Sequence, residues 1–160
     1  VKVHNLYIPA GGDLPDMKLN PKFEHKINFL SEIKNKFFKG KKKKTILVGD
    51  FNIAPLPDDV WSHKALLNVV SHTKIETDLL SEIKKSGDWV DTFREMKPSG
   101  KLYSWWSYRA RDWKISNRGR RLDHIWASQD LKSKLSKVQI FSEARDWERP
   151  SDHVPILSIF

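Results

Sequence analysis

Residues 45–52 read Thr-Ile-Leu-Val-Gly-Asp-Phe-Asn, and they decide how the chain around them is read. Thr45–Val48 is a short apolar, β-prone run that stops at Gly49, which predicts a strand with a tight exit. Asp50 and Asn52 stand at i and i+2, so on an extended backbone a carboxylate and an amide point the same way off the strand end. Such a pair can grip a hard cation or a phosphate oxygen. Asp and Asn beside Gly are also ordinary turn chemistry, so the tetrapeptide alone leaves both readings open.

Working outward, Val1–Ile8 reads as a strand closed by Pro9-Ala-Gly-Gly12. Asn20 and Pro21 form an N-cap and a first helical position. Phe23, Ile27, Leu30, Ile33 and Phe37 then recur at helical spacing until Gly40, with Lys36 and Lys39 suited to the C-terminal dipole. Residues 58–70 mix signals. Thr73 and Glu76 make a capping box for a helix over 73–86, with Ile75, Leu79 and Ile83 as its stripe and Gly87 as its stop. Trp89–Arg94 is a short element of undecided type. Leu102–Tyr108, Leu122–Ser128, Val138–Phe141 and Val154–Phe160 read as strands. With no repeat and no low-complexity linker, the pattern predicts one α/β or α+β unit.

The chain has 160 residues, 39% hydrophobic and 31% charged, a globular profile. No apolar run approaches a membrane span, and no stretch has the plan of a signal peptide. With no cysteine, disulfides, zinc ribbons and thiol chemistry are excluded, and any metal must sit on oxygen or imidazole. The formal net charge of +9 favours polyanions, nucleic acid above all. The Lys41–Lys44 run reads either as a nucleic-acid tract or as a solvated turn before the strand. The stretch Lys101–Arg121 carries seven basic residues (Lys101, Arg109, Arg111, Lys114, Arg118, Arg120 and Arg121) and one acid, Asp112. Interleaved with them are Tyr103, Trp105, Trp106, Tyr108 and Trp113. Arginines that grip phosphates beside rings that stack on bases fit a nucleic-acid surface better than they fit a packed hairpin.

Ser151-Asp152-His153 is a second polar cluster before the last strand, with either a ligand-and-imidazole or a capping role. Asp123 is a carboxylate inside a strand-like run and needs a partner, for which a histidine imidazole is a good candidate.

The ordered set Tyr7-Ile-Pro-Ala-Gly11, Gly49-Asp50-Phe51-Asn52, Tyr103-Ser-Trp105-Trp-Ser-Tyr108, Arg120-Arg-Leu-Asp123 and Ser151-Asp152-His153 closely resembles the exodeoxyribonuclease III family. That family is the AP-endonuclease branch of the endonuclease/exonuclease/phosphatase superfamily. Asp59-Val-Trp-Ser-His63, Val69-Val-Ser-His-Thr73 and Trp89-Val-Asp-Thr-Phe-Arg94 extend the match over essentially the whole chain.

The resemblance implies a DNA-repair hydrolase of the cytoplasm, acting near the nucleoid in base excision repair. Its partner would be double-stranded DNA with abasic sites or 3′ ends, with no membrane and a monomeric full-length state. The expected catalytic set is Tyr7, Asp50, Asn52, Asp123 and His153: Tyr7 reaching the scissile phosphate, Asp50 serving the attacking water or leaving oxygen, Asn52 binding phosphate, and Asp123 orienting His153. The expected metal set is Asp50, Asn52, Asp152 and His153, for Mg²⁺ with Mn²⁺ as an alternative ion. Trp105, Arg109, Arg111, Arg118 and Arg121 would contact DNA, with Trp105 as an aromatic wedge. The family fold is a four-layer α/β sandwich of two similar halves. Residues 1–160 resemble the C-terminal portion of that one domain, the N-terminal half with its principal Glu ligand being absent. Such a chain is expected to be impaired as a nuclease. A non-catalytic DNA-binding fragment and a lipid or inositol phosphoesterase of the same superfamily are the alternatives.

Overall fold

The apolar run ahead of Gly49 becomes the spine of a four-stranded sheet in the computed structural model, which describes residues 1–36 and 40–160. Among the described residues the order is β1 (Lys2–Tyr7), α1 (Pro21–Lys36), β2 (Thr45–Asp50), α2 (His63–Leu66), α3 (Lys74–Ser86), β3 (Trp89–Asp91), α4 (Thr92–Met96), α5 (Trp113–Ser116), β4 (Asp123–Ser128), β5 (Lys137–Ile140) and β6 (Ile156–Ile159). The sheet runs β1-β2-β4-β3, with β1 parallel to β2 and β4 antiparallel to it. β5 and β6 form a separate antiparallel pair. The result is the mixed α/β class that the alternation of helical and strand patterns predicts.

One face of the sheet carries the main core. Leu47 and Trp126 are register partners, and they pack with Phe23, Ile27, Leu30 and Ile33 of α1 and Leu80 and Ile83 of α3. The α1 stripe and the Asn20 cap are as the spacing predicts, Asn20 Oδ1 accepting from Lys22 N at 3.0 Å. Phe37 and Lys39 lie outside the described residues, as does the side chain of Lys36. In α3 the capping box of Thr73 and Glu76 is present. Its buried line, however, runs through Leu80 and Ile83, and Ile75 is exposed because it falls on the helix's outer side.

Gly49 is required by a close approach. Its φ is +137°, and a Cβ there would stand 1.9 Å from the Leu6 carbonyl oxygen of β1. The parallel pairing of β1 with β2 therefore closes over a position that only glycine fills.

One segment differs from expectation, and one left undecided is resolved. Leu102–Tyr108 forms no regular ladder, because its N–H groups are shared between two neighbours: Ser104 and Trp105 donate to Arg120 O, and Trp106 donates to Asp152 O. Trp89–Arg94 is half strand and half helix, the switch being made by Asp91, whose carboxylate caps the N–H groups of Phe93 and Arg94. Among the described residues no helix is long and apolar enough to cross a membrane.

Candidate active site

Strand register brings the first site residues together. Asp50 ends β2 with Tyr7 of β1 on one side and Asp123 of β4 on the other. Residues paired across neighbouring strands point to the same face, so a phenol and two carboxylates stand in a row at one end of the sheet. The chain then turns at Asn52, whose φ of +51° folds its amide back on the strand it has just left. Asn52 N donates to Asp50 Oδ1 at 2.8 Å, and Asn52 Nδ2 donates to Asp50 Oδ2 at 2.9 Å and to Ile8 O at 2.8 Å.

His153 arrives from the loop before β6. Its Nδ1 lies 2.8 Å from Asp123 Oδ2, and its Nε2 lies 3.8 Å from Asp50 Oδ2. Asp123 is held in turn by Ser104, whose hydroxyl donates to Asp123 Oδ2 at 2.6 Å and accepts from Leu122 N and Asp123 N. The Nδ1–H that Asp123 accepts fixes the imidazole tautomer and leaves Nε2 turned toward Asp50.

The electrostatics follow from this crowding. Burial, together with the carboxylate of Asp123, pushes the Asp50 carboxyl up to about 6. Burial works against a charged His153, but the hydrogen bond and charge of Asp123, with Asp50 and Asp152, hold its imidazole above the ordinary value. Ligand atoms of Asp50, Asp123 and His153 all lie within 4.8 Å of one another. Asp152 stands apart from this cluster and accepts from Trp105 Nε1 at 2.9 Å. The carboxylates that share one point of space are thus Asp50 and Asp123.

These groups open onto a cleft of about 980 Å³. Tyr7, Asn52, Trp105, Asp152 and His153 line it, and so do Arg109, Arg118 and Arg120. Arg118 lies over Trp61 at 4.9 Å and Arg120 over Trp105 at 5.2 Å, so cations and rings alternate along one wall. Arg111 is exposed outside these walls.

Arg121 requires a correction. Expected at the DNA surface, it is 1% exposed and bridges two buried carboxylates: its Nε meets Asp59 Oδ1 at 2.8 Å and its Nη2 meets Asp91 Oδ2 at 2.8 Å. Its guanidinium is consumed inside the protein, and Arg120, one residue earlier, faces the cleft instead.

Ser104 and Lys26 are the groups to which sequence reasoning gave no role. Lys26 is fully buried, pairs with Glu76 at 2.6 Å and donates to Asn52 O at 2.8 Å, so it braces the turn behind Asp50. Its position beside Phe23, Ile27 and Leu30 on the inner face of α1 is the signal that could have found it.

The sequence pattern of a family described as Endonuclease/Exonuclease/phosphatase family matches residues 30–153. An "Exodeoxyribonuclease III" of Haemophilus influenzae is 29% identical over 170 residues, covering 99% of this chain and 61% of its own length. Of solved structures, an AP endonuclease from Archaeoglobus fulgidus gives a TM-score of 0.89 at 27% identity. A 3′ phosphatase from Neisseria, bound to product DNA hairpin, gives a TM-score of 0.85 at 28% identity. Both cover 99% of this chain and 60% of the other. The chain therefore spans about 60% of the length of these relatives.

Proposed function

The chain belongs to the endonuclease/exonuclease/phosphatase family, and we propose that it serves a DNA-repair phosphodiesterase of the exodeoxyribonuclease III and AP-endonuclease branch. The observation that carries this is the junction of Asp50 with Asp123 and His153 at the mouth of an arginine-lined cleft. The substrate is duplex DNA, cut 5′ to an abasic site or trimmed from a 3′ end. Two relatives support that choice by name, and a third was solved with a DNA hairpin.

The reaction is in-line hydrolysis. A water oxygen forms a bond to phosphorus while the bond from phosphorus to the leaving 3′ oxygen breaks, and the leaving oxygen gains a proton. Asp50, at the strand end beside the phosphate, would align the attacking water, whose proton passes on to solvent. Asn52 keeps Asp50 aimed, the Nε2 of His153 meets a phosphoryl oxygen, and Asp123 orients that imidazole. Tyr7, exposed beside Asp50, offers its hydroxyl to the same phosphate. Trp105 wedges beside the abasic sugar, and Arg109, Arg118 and Arg120 hold flanking phosphates.

Two close carboxylates, one of them resisting ionisation beside the other, suit a hard divalent cation. Asp50 and Asp123 would hold Mg²⁺, or Mn²⁺ in its place. When bound, the ion offsets charge on the phosphoryl and leaving oxygens. We further propose that residues 1–160 act as the C-terminal portion of one domain, and that a further acidic ligand comes from outside them.

The test is Mg²⁺-dependent cleavage of a labelled abasic duplex by the chain alone and by the chain joined to the part of the Haemophilus relative it leaves uncovered. The joined protein should cleave, and Asp50→Asn should silence it. Cleavage that persists in Asp50→Asn overturns the roles assigned here. DNA binding with no cleavage in either form favours the non-catalytic alternative.

A further inference from the structure

The Lys41–Lys44 run is equally a solvated turn when read by itself. The fold gives it company. Three loops meet at the end of the sheet where β2 begins. Gly40 N donates to Ser86 O at 3.3 Å, Lys41 Nζ lies 3.5 Å from Asp88, and Lys44 N donates to Asp130 Oδ2 at 3.0 Å. Lys41, Lys43 and Lys44 thereby come to stand beside Lys85 at the end of α3 and Lys132 and Lys134 after β4, all exposed.

The acids beside these lysines are few and already engaged, Glu95 pairing with Lys132 at 3.0 Å. Asp88 takes Lys41 and the Gln129 amide, and Asp130 takes the Ser128 hydroxyl and the Lys44 N–H. The lysines outnumber them, and β1 begins at the same end with Val1 exposed beside them. The surface is therefore cationic and built from lysine, a compact charge on a flexible stem with no preferred plane.

It lies away from the cleft. The five steps of β2 from Thr45 to Asp50 span about 17 Å at roughly 3.3 Å per residue. Phosphates held at Asp50 are therefore not the ones this end can touch.

We propose that this end is a second, sequence-blind surface that holds the phosphate backbone of a separate duplex segment while the cleft is engaged. The inference rests on the reading of the cleft as a DNA site. Lysines in excess of their acids, gathered from three loops, suit the repeated phosphates of nucleic acid, where charge alone carries sequence-blind binding. An enzyme with two such surfaces passes between DNA segments without leaving both.

Two variants separate the surfaces: a distal one (Lys43→Gln, Lys44→Gln, Lys85→Gln, Lys134→Gln) and a cleft one (Arg109→Ala, Arg118→Ala). The probes are short intact duplexes carrying donor or acceptor dyes. The unaltered chain should bring the two dyes together, and the distal variant should lose most of that transfer while binding one abasic duplex within about twofold. The cleft variant should keep salt-sensitive binding to intact duplex. Adding the distal changes should then flatten its dependence on log salt by up to about 3.6 units, near 0.9 for each of the four phosphate contacts removed. Unchanged dye transfer in the distal variant, or an unchanged salt slope, overturns the proposal. So does a cleft variant that binds phosphatidylserine vesicles but no duplex. If the cleft variant binds abasic duplex normally while the distal variant does not, the cleft reading fails and the distal surface stands.

Discussion

The two ends of β2 follow opposite rules. At Asp50 each polar group is committed: Asn52 and Asp50 hold one another twice, Asp123 accepts from both Ser104 and His153, and Lys26 braces the turn from beneath. At Thr45 the charges stand on exposed lysines joined to the body by their backbones. One end fixes direction and the other supplies only sign. Chemistry on a bond needs the first, whereas retention of a polyanion needs only the second. The total charge of +9 cannot distinguish them, because cleft arginines and distal lysines add to the same sum.

The contrast is easiest to break by activity. His153→Ala in the joined protein should lower hydrolysis of an abasic duplex by about 10² to 10³-fold, the range for losing one donor to developing charge. The distal lysine variant should leave single-turnover rates on a short duplex unchanged. Equal losses in both would end the distinction.

Stability should divide the same way. Arg121→Met leaves buried Asp91 without its cation and Asp59 with Arg94 alone, and urea unfolding should register a loss of about 3–5 kcal/mol. Lys43→Gln at the other end should stay within about 0.5 kcal/mol. A mild Arg121 variant would mean the two carboxylates find other partners.

A pH series sharpens the comparison further. His124 is fully buried against Phe51, and burial followed by the charge of Arg121 pushes its imidazole down to about 4. The unfolded chain takes that proton near the ordinary value of about 6.5. The neutral, folded form is thus fully favoured above about 6.5, and stability falls as pH drops toward 4, by about 3 kcal/mol in all. His124→Gln should flatten this limb of the unfolding curve, and the distal lysine variant should retain it. A limb that survives His124→Gln would assign it to another group.

The smallest test runs along one helix. Thr73, at the start of α3, shares its cap with the buried Glu76, while Lys85 stands exposed at the far end. Thr73→Ala should cost about 1 kcal/mol and Lys85→Gln next to nothing, both read by thermal melts. Equal effects would say that α3 does not divide as the sheet does.

Local signals carried much of this from sequence. The Gly49 exit, the Asn20 cap and the Thr73 box are each written within a few residues, where backbone chemistry acts. The resemblance supplied the pairing of Asp123 with His153 across 30 positions, which spacing alone leaves open. Arg121 misled because its partners, Asp59 and Asp91, lie 62 and 30 residues away, and an arginine amid arginines reads as solvent-facing until those carboxylates are in place. Lys26 hid for the same reason: its acid partner comes from another helix. Pairing of β2 with β4, not adjacency to His153, decides which carboxylate stands beside Asp50.

Gly49 has a consequence for anyone mapping this molecule by saturation mutagenesis. A methyl at that position collides with the backbone of β1, so every substitution disturbs the seat of Tyr7 and Asp50 together. In an activity screen position 49 would score as dead as position 50, though it has no side chain to lend to the reaction. Loss-of-function maps of this region will therefore inflate the catalytic roster by one, unless each dead variant is also asked whether its strands still pair.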